Sequence, residues 1–410
     1  MSDPVTGRGF LSWGAVVFLL IAPTTFAGVS LSVSVHPVGV VAPYYPTARS
    51  GAAMVYDPVD RYVVLFGGSN GDNDTWTFSG GRWTELSETT APTARVGACA
   101  AWDVAGGYLV LFGGQLTTPN RPLANDTWEF VHGRWSELHP LLSPPPLAWT
   151  GCTYDAALGV IVMFGGTSPE NETTGATWTF ASGQWTLEPV HESPRPISPR
   201  FGSAMLYWAP GAYVDMYGGQ GNTSSLADSW SWISGGWQEI NSGHAPAGRV
   251  LASVAVNISD QVGVLFGGAV SFNGSTSDST WTLGASGRWT RAPTVSGPST
   301  RFEAAFAYDA LDQYFVLFGG SGSTTSLSPP MNDTWTYSGV NWTNISVSAD
   351  RPPPPVTVSS GQGALLFEYL GAAIAIAVVA LVVLIVFFRR RRLRGSSTSP
   401  PASPDSGVSH

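Results

Sequence analysis

Apolar residues gather in short runs along this chain, and one kind of run returns at regular intervals. The runs read YVVLF at 62–66, YLVLF at 108–112, VIVMF at 160–164, VGVLF at 262–266 and YFVLF at 314–318. Each run ends in an aromatic residue, and two glycines follow it. A five-residue segment this apolar predicts a strand that is buried on both of its faces.

The glycine pairs define six repeats, because a sixth copy with a Tyr before the pair completes the series. The pairs are 67–68, 113–114, 165–166, 218–219, 267–268 and 319–320, at spacings of 46, 52, 53, 49 and 52 residues. Two Trp follow each pair, seven or eight residues apart: Trp76 and Trp83, Trp128 and Trp135, Trp178 and Trp185, Trp230 and Trp237, Trp281 and Trp289, Trp335 and Trp342. These regular positions predict that the indoles fill the space between repeated units.

The pattern divides each repeat into four short strands, a to d. In the first repeat we expect strand a at 51–56, strand b at 62–66, strand c at 75–78 and strand d at 83–86, with turns between them. Four strands per unit at this period predict an all-β, six-bladed β-propeller. Both ends of the repeat region fall at blade boundaries. The alternating segment 29–35 is a candidate edge strand that would help to close the ring.

The order of an Arg, an apolar strand, Gly-Gly and two spaced aromatics resembles the Kelch repeat, which also builds the central propeller of galactose oxidase. The resemblance covers about residues 49–345 and implies a Kelch-type propeller whose blades begin near 49, 95, 147, 200, 249 and 301. It leaves the function open, because Kelch propellers serve as enzymes, scaffolds and adhesins. The copper ligands of galactose oxidase cannot be placed on this chain, and we expect no cofactor.

The two ends of the chain carry targeting patterns. Residues 1–27 are typical of a secretory signal peptide, with Arg8 before the apolar run 10–22 and Ala27 at the expected cut; an uncleaved anchor is the alternative. Residues 369–388 carry no charge and are long enough to span about 30 Å of hydrocarbon. Because an Arg cluster at 389–392 follows, we predict a C-terminal transmembrane helix with a cytoplasmic tail at 389–410.

The two terminal patterns predict that the repeats lie outside the cell. The predicted order is a signal peptide (1–27), an N-terminal segment (28–48), the propeller (49–346), a Pro-rich stalk (347–368), the transmembrane helix and the tail. Residues 28–367 hold 13 Arg against 25 Asp and Glu, and the chain has no Lys. An acidic surface argues against a nucleic-acid partner. The expected partners are the membrane, through the helix, and an extracellular protein or glycan.

Loop lengths point to one face of the propeller as the binding face. The turns that join strands a to b and c to d are short in every repeat. The b–c loops and d–a connections, such as 115–125, 167–176, 188–199 and 321–332, are longer and irregular. Because these two kinds of connection share one end of a propeller, we expect a ligand at that end, here called the long-loop face.

Six residues are candidate ligand contacts. Five repeats place an Arg at one register before strand a: Arg49, Arg95, Arg200, Arg249 and Arg301. The third repeat has Leu147 there. The Kelch resemblance implies a structural Arg that bonds backbone carbonyls of an adjoining blade. The alternative is a ring of guanidinium groups near the channel mouth that would suit carboxylate or sulfate groups. The sixth candidate is Glu303, where other repeats have Gly or an apolar residue.

Other departures from the repeat carry open interpretations. Asp215 occupies a strand-b register that is Val in the other repeats, so its carboxyl group must either have a polar partner or be hydrated. Trp102, Trp149, Trp208 and Trp232 lie off the repeat registers and are candidates for sugar stacking. His139, His191 and His244 lie in successive d–a connections, but their unequal offsets argue against a shared metal site. Nine N-x-S/T sequons could carry glycans, or could serve only as turns.

The two cysteines, Cys99 and Cys152, lie on strand a of the second and third repeats. Counted back from Asp103 and Asp155, they differ by one register. We therefore expect the side chains to point to opposite faces and to stay as two buried small residues, although export would permit a disulfide.

The sequence favours a cell-surface binding or adhesion module over a catalyst. We find no nucleophile elbow, zinc-protease motif, phosphate-binding loop or haem motif. The alternative is a sugar-acting ectoenzyme, a mutarotase, lyase or oxidase, with the five Arg and Glu303 at its channel. Paired carboxylates could still converge from separate blades.

Overall fold

The computed structural model describes residues 45–189, 196–240, 245–270, 275–293, 296–324 and 328–346. The signal peptide, the 29–35 segment, the stalk, the 369–388 segment and the tail lie outside these residues. No helix within the described ranges is long and apolar enough to cross a membrane.

Strands account for all regular secondary structure of the described part. In blades 1 to 3 they are β1 (Ala53–Asp57), β2 (Tyr62–Phe66), β3 (Thr75–Ser79), β4 (Arg82–Leu86), β5 (Arg95–Val96), β6 (Cys99–Asp103), β7 (Tyr108–Phe112), β8 (Gln115–Leu116), β9 (Thr127–Val131), β10 (Arg134–Leu138), β11 (Gly151–Asp155), β12 (Val160–Phe164), β13 (Thr177–Ala181) and β14 (Gln184–Leu187). In blades 4 to 6 they are β15 (Ala204–Trp208), β16 (Tyr213–Tyr217), β17 (Ser229–Ile233), β18 (Gly236–Ile240), β19 (Ser253–Asn257), β20 (Val262–Phe266), β21 (Thr280–Leu283), β22 (Trp289–Arg291), β23 (Ala305–Asp309), β24 (Tyr314–Phe318), β25 (Thr334–Tyr337) and β26 (Trp342–Asn344).

These strands form six four-stranded antiparallel sheets, each built from consecutive strands a to d. The six a strands contact one another in a closed cycle, from β1 through β6, β11, β15, β19 and β23 back to β1. The a strands therefore surround the central axis, and the fold is the all-β, six-bladed propeller that the repeats predict. β5 and β8 form a short additional ladder that extends blade 2 at the long-loop face.

The indoles at the repeated registers join neighbouring blades. The second Trp of five blades donates its Nε1–H to a Thr Oγ1 on strand c of the preceding blade, at 2.9–3.0 Å: Trp83 to Thr334, Trp135 to Thr75, Trp185 to Thr127, Trp237 to Thr177 and Trp342 to Thr280. One such bond joins blade 1 to blade 6 and so closes the ring. The rings also pack against the Phe at the end of strand b of the preceding blade, as Trp185 does on Phe112. The predicted structural role of these Trp is confirmed.

The first glycine of each pair has a steric reason. At Gly165, where φ is +71°, an added Cβ would lie 2.2 Å from the carbonyl oxygen of Arg200 in the next blade. The neighbouring Gly166 donates its N–H to that same oxygen at 2.9 Å. The pair therefore lets two blades approach until their backbones bond, as expected for glycine at a close contact.

A disulfide joins Cys99 of blade 2 to Cys152 of blade 3, with 5.8 Å between the Cα atoms. The expectation of two separate thiols was wrong. Each strand a has two faces, one toward the preceding blade and one toward the next blade. At a boundary, the forward face of one strand a therefore meets the backward face of the strand a that follows it. Two residues that meet across this boundary must therefore differ by one register, so the offset that argued against a bridge is the offset that a bridge requires. Gly151 and Met205 face each other across the next boundary with the same offset.

Candidate functional site

The five Arg of the common register are buried in the propeller wall, each at most 4% exposed. Their Nη1 atoms donate to the carbonyl of the first glycine of their own blade, as Arg49 does to Gly67 at 3.0 Å. Four also bind an Asp that directly precedes strand c, in a two-pronged ion pair with Nη1–Oδ1 distances of 2.6 Å: Arg49 with Asp74, Arg95 with Asp126, Arg200 with Asp228, and Arg301 with Asp333.

This arrangement directs the four paired guanidinium groups away from the central axis. Each side chain runs outward from strand a to the start of strand c, the third strand from the centre. The backbone oxygen of each Arg accepts the N–H of the second glycine of the preceding blade at 2.9 Å, as between Gly320 and Arg49. These contacts support the structural interpretation of the register. The expected partner was wrong, because the carbonyl that each guanidinium group binds belongs to its own blade and not to an adjoining one. A direct ligand role for these Arg stays a prediction.

Blade 3 has lost the whole ion pair. Leu147 stands at the Arg register and Ala176 at the Asp register, and the two pack within one apolar cluster. In the four blades with an ion pair, the first Trp donates Nε1–H to the Asp at 2.5–2.7 Å. The Nε1 of Trp178 in blade 3 is buried and has no hydrogen-bond partner among the described residues. The same register can thus be filled by an ion pair or by apolar side chains.

A closed ring of backbone hydrogen bonds lies where the a strands begin at the long-loop face. Its six residues, here called the mouth ring, come one from each blade: Gly51, Gly97, Trp149, Gly202, Leu251 and Glu303. Each N–H donates to the carbonyl of the ring residue in the preceding blade at 2.7–3.0 Å, and Gly51 closes the cycle on Glu303. All six have left-handed backbone conformations, with φ between +53° and +67°.

Three of the six ring residues carry a large side chain into this mouth. The indole of Trp149 lies over Gly97, where an added Cβ would be 2.7 Å from its Cδ1 atom. Leu251 lies over Gly202 in the same way, with 2.8 Å to its Cδ2 atom. The Trp149 Nε1–H donates to Glu303 Oε1 at 2.8 Å. Because blades 3 and 6 lie opposite each other, this bond spans the mouth of the channel.

The Glu303 carboxyl group is the chemically distinctive element of the mouth. The side chains of Trp149, Leu251 and Glu303 all keep some exposed surface. Burial of the Glu303 carboxyl group raises its pKa, while the Trp149 bond, the Ser50 side chain and the charge of Arg121 favour the ionised form. Arg121 belongs to the b–c loop of blade 2. The mouth therefore combines an aromatic face with a carboxyl group that can accept or donate a hydrogen bond.

Sequence reasoning singled out Glu303 and Trp149 separately but missed their bond. The structure brings these two candidates together and separates both from the five Arg. Trp208 and Trp232 are core residues, 3% and 2% exposed, and Trp102 packs between blades 1 and 2. The signal that could have revealed the site is a large residue at a register where three other blades have glycine.

Asp215 lies in the boundary between blades 4 and 5. Its Oδ1 accepts the Ser231 hydroxyl at 2.6 Å, which provides the partner expected from the sequence. Burial raises its pKa to about 6, and the Ser231 bond opposes the shift. Leu206, Tyr217 and Trp289 line the same small cleft of about 10 Å³, which has room for about one water molecule.

The structure also bears on the predicted metal-site candidates. No group of three or more His, Cys, Asp or Glu within the described ranges could hold a metal ion. Two of the three His considered for such a site, His191 and His244, lie outside those ranges.

Of the sequons, Asn257 is 5% exposed and donates its side-chain amide to Asp260, so it is not free to carry a glycan. Seven others are exposed: Asn73, Asn125, Asn171, Asn222, Asn332, Asn341 and Asn344.

The fold defines the chain as a six-bladed β-propeller. No known family model matches the sequence, and no curated protein matches it significantly.

Proposed function

We propose that this chain is a Kelch-type propeller, held at the cell surface by a C-terminal membrane helix, that binds an extracellular glycan or protein through its long-loop face. The mouth ring residues Trp149, Leu251 and Glu303 form the centre of the proposed binding surface. The observation that carries the proposal is the presence of three large side chains in left-handed backbone conformation at that mouth.

The backbone conformation makes these side chains costly. A left-handed conformation costs a non-glycine residue about 1–2 kcal/mol, and glycine meets the same requirement at three ring positions without that cost. Strained residues persist where the surroundings enforce them, and they cluster at binding sites. Trp149 and Glu303 are therefore better explained by what their side chains do at the mouth than by the needs of the ring.

The chemistry of the pair suits a ligand with an apolar face and polar donors. The Trp149 indole offers a flat surface for stacking, and Glu303 offers an acceptor beside it at 2.8 Å. Sugars combine these two features, and so do Lys and Tyr side chains of a protein. The lengths of the b–c loops around the mouth vary between blades, as is typical of a recognition surface.

Membership of the Kelch class and export rest on separate support. The repeated Arg, Gly-Gly and Trp registers have recurring structural roles, which supports the resemblance. The Cys99–Cys152 disulfide is of the kind that persists in oxidising compartments, which fits the secretory pattern at 1–27. The apolar segment 369–388 with its Arg cluster supports the membrane anchor.

A glycan-array screen of the purified full-length protein tests the proposal. We expect saturable binding that falls at least tenfold on Glu303→Gln and on Trp149→Gly. Glu137→Gln, which removes an exposed carboxylate from strand d of blade 2, is the matched control and should bind as the wild type does. A folded protein with no array binding would count against a glycan and leave a protein ligand. Equal binding by all four proteins would overturn the assignment of the mouth.

The raised pKa of Glu303 favours one second candidate, a sugar-acting ectoenzyme. A carboxyl group whose pKa is raised by burial holds its proton to higher pH than a free carboxyl group, and a protonated carboxyl group can act as a general acid. Glycans that bind should therefore be recovered and analysed for changed linkage or anomeric form. Turnover that disappears on Glu303→Gln would establish this candidate, and recovery of unchanged glycan would reject it.

A further inference from the structure

Blade 5 breaks the charge pattern of the propeller wall. Four blades bury an Arg and neutralise it with an Asp. Blade 5 keeps the Arg, as Arg249, but has Ser279 at the Asp register. No carboxylate among the described residues forms an ion pair with Arg249, which is only 4% exposed. Blade 3 avoided this imbalance by changing both residues of the pair, and blade 5 did not.

The donors that hold the carboxylate in the other blades are still present around Ser279. Arg249 Nη1 donates to Gly267 O at 2.8 Å and lies 3.2 Å from Ser279 Oγ. The Trp281 Nε1–H also points to Ser279 Oγ, at 3.1 Å. The hydroxyl of Ser277 lies 2.8 Å from that of Ser279. In the other blades two guanidinium nitrogens and an indole N–H bind the Asp. In blade 5 one of those nitrogens, Nη1, and the Trp281 indole N–H converge on a hydroxyl that carries no charge.

The immediate surroundings do not supply the missing negative charge. Tyr217 replaces the Phe that ends strand b in the other blades, and its hydroxyl bonds to Arg249. That hydroxyl donates its proton to the carbonyls of Pro246 and Ala247 and remains neutral. Burial lowers the pKa of Arg249, Tyr217 opposes that shift, and the charge of Arg291 adds to it. A buried cation without a counter-charge is costly, so an anion should bind here.

We propose that blade 5 binds an external carboxylate at Arg249, Trp281 and Ser279, in the place that an Asp side chain takes in the other blades. The register reaches the surface in the four ion-paired blades, where the Asp side chains are 13–25% exposed, and in blade 5 Ser279 keeps 9% of its surface exposed. A guanidinium fork and an indole N–H match the two oxygens of a carboxylate, as they do in blade 4 with Asp228.

Two variants of the full-length protein test the site by moving the carboxylate. Ser279→Asp supplies the carboxylate from the chain itself, and Asp228→Ser removes it from blade 4. The probe is sodium formate, titrated against sodium chloride at constant ionic strength, with Tm as the readout. We expect formate to raise the Tm of the wild type by about 2 °C or more. Ser279→Asp should have a higher Tm without formate and lose the formate response, while Asp228→Ser should gain a second response.

The outcomes separate clearly. A wild type that does not respond to formate, or a Ser279→Asp variant that responds equally, overturns the proposal. If Asp228→Ser fails to fold, the comparison of the wild type with Ser279→Asp still decides the question. Ser279→Asn, which has the shape of Asp without its charge, should not raise the Tm as Ser279→Asp does.

The source of the carboxylate is a second question, and its answer rests on the proposed function. The site lies on the side of the long-loop face, so an acidic group of a bound ligand could supply the carboxylate. On the array, selective loss of acidic glycans by Ser279→Asp, with neutral glycans unaffected, assigns the site to the ligand. Unchanged array binding together with the formate response assigns it to free anions. The formate response is measured without the array, so failure of one test does not decide the other.

Discussion

Asp215 shows how a single carboxyl group is accommodated in a strand that is apolar in the other blades. Its register is Val64, Val110, Val162, Val264 and Val316 elsewhere. Within the described ranges, Ser231 is the one hydrogen-bond partner of this side chain. Burial therefore favours the neutral acid, and the pKa is raised to about 6. The raised pKa lets Asp215 keep its proton below about pH 6, and no ion pair within the described ranges compensates the carboxylate above that pH.

The raised pKa predicts the pH dependence of stability. The folded state binds the Asp215 proton more tightly than the unfolded state, so its stabilising effect is fully present below about pH 4 and is lost as the pH rises through about 6. The full effect is at most about 3 kcal/mol. Asp215→Asn keeps the acceptor for Ser231 and removes the titration. We expect the variant to gain stability over the wild type between pH 4 and pH 7.5 in urea unfolding.

The comparison of the two proteins cancels every other titrating group, since both carry the same remaining carboxyls. Parallel stability profiles for the wild type and Asp215→Asn across this range would contradict the assigned pKa. A variant less stable than the wild type at pH 7.5 would show that the carboxylate has a partner beyond Ser231.

At the scale of the element, the blade boundary depends on the glycine pair that ends strand b. The first glycine makes room for a carbonyl of the next blade, and the second donates an N–H to it, as Gly165 and Gly166 do with Arg200. The conformation and the close approach are separate requirements. A glycine with positive φ but open surroundings, such as Gly183, meets only the conformational requirement.

We therefore predict different costs for the same substitution at two glycines of blade 3. Gly183→Ala, at φ +78° with no neighbour within 4 Å, should lose about 1–2 kcal/mol from conformation alone. Gly165→Ala has a similar φ but also places its Cβ 2.2 Å from a backbone oxygen. It should lose about 1–3 kcal/mol more, because the blades must separate. Chemical denaturation of both variants measures the difference, and equal losses would contradict the steric role of Gly165.

The elements that the sequence predicted are those whose signal repeats within one blade. The strands, the glycine pairs and the Trp registers recur about every 50 residues, so six copies reinforced each interpretation. The mouth ring was not predictable in this way. Its bonds link one residue of each blade to the next, and a register occupied by Gly, Trp, Leu and Glu has no shared side-chain chemistry. Only closure of the ring brings Trp149 to Glu303.

At the scale of the whole molecule, the propeller is closed by contacts between its first and last blades and by one covalent link elsewhere in the ring. Gly51 donates to Glu303 and Gly320 donates to Arg49, so blades 6 and 1 meet through the same kinds of backbone bond as every other pair. Trp83 donates to Thr334, a Trp–Thr bond of the kind found at four other boundaries. The disulfide reinforces only the boundary between blades 2 and 3. The expectation that Cys99 and Cys152 stay unpaired failed at this scale. It compared the faces of two separate strands, but a contact between blades joins opposite faces of neighbouring strands.

The disulfide should contribute strongly to stability. It closes a loop across a sequence separation of 53 residues, and the loss of unfolded-chain entropy for a loop of this length corresponds to about 4 kcal/mol. We expect dithiothreitol to lower the Tm of the wild type. A Cys99→Ala, Cys152→Ala double variant should start at the lower Tm and not respond to reductant. An equal reductant response of both proteins would mean that the effect does not come from this bond. A wild type whose Tm is unchanged by complete reduction would show that the packing of the a strands alone holds blades 2 and 3 together.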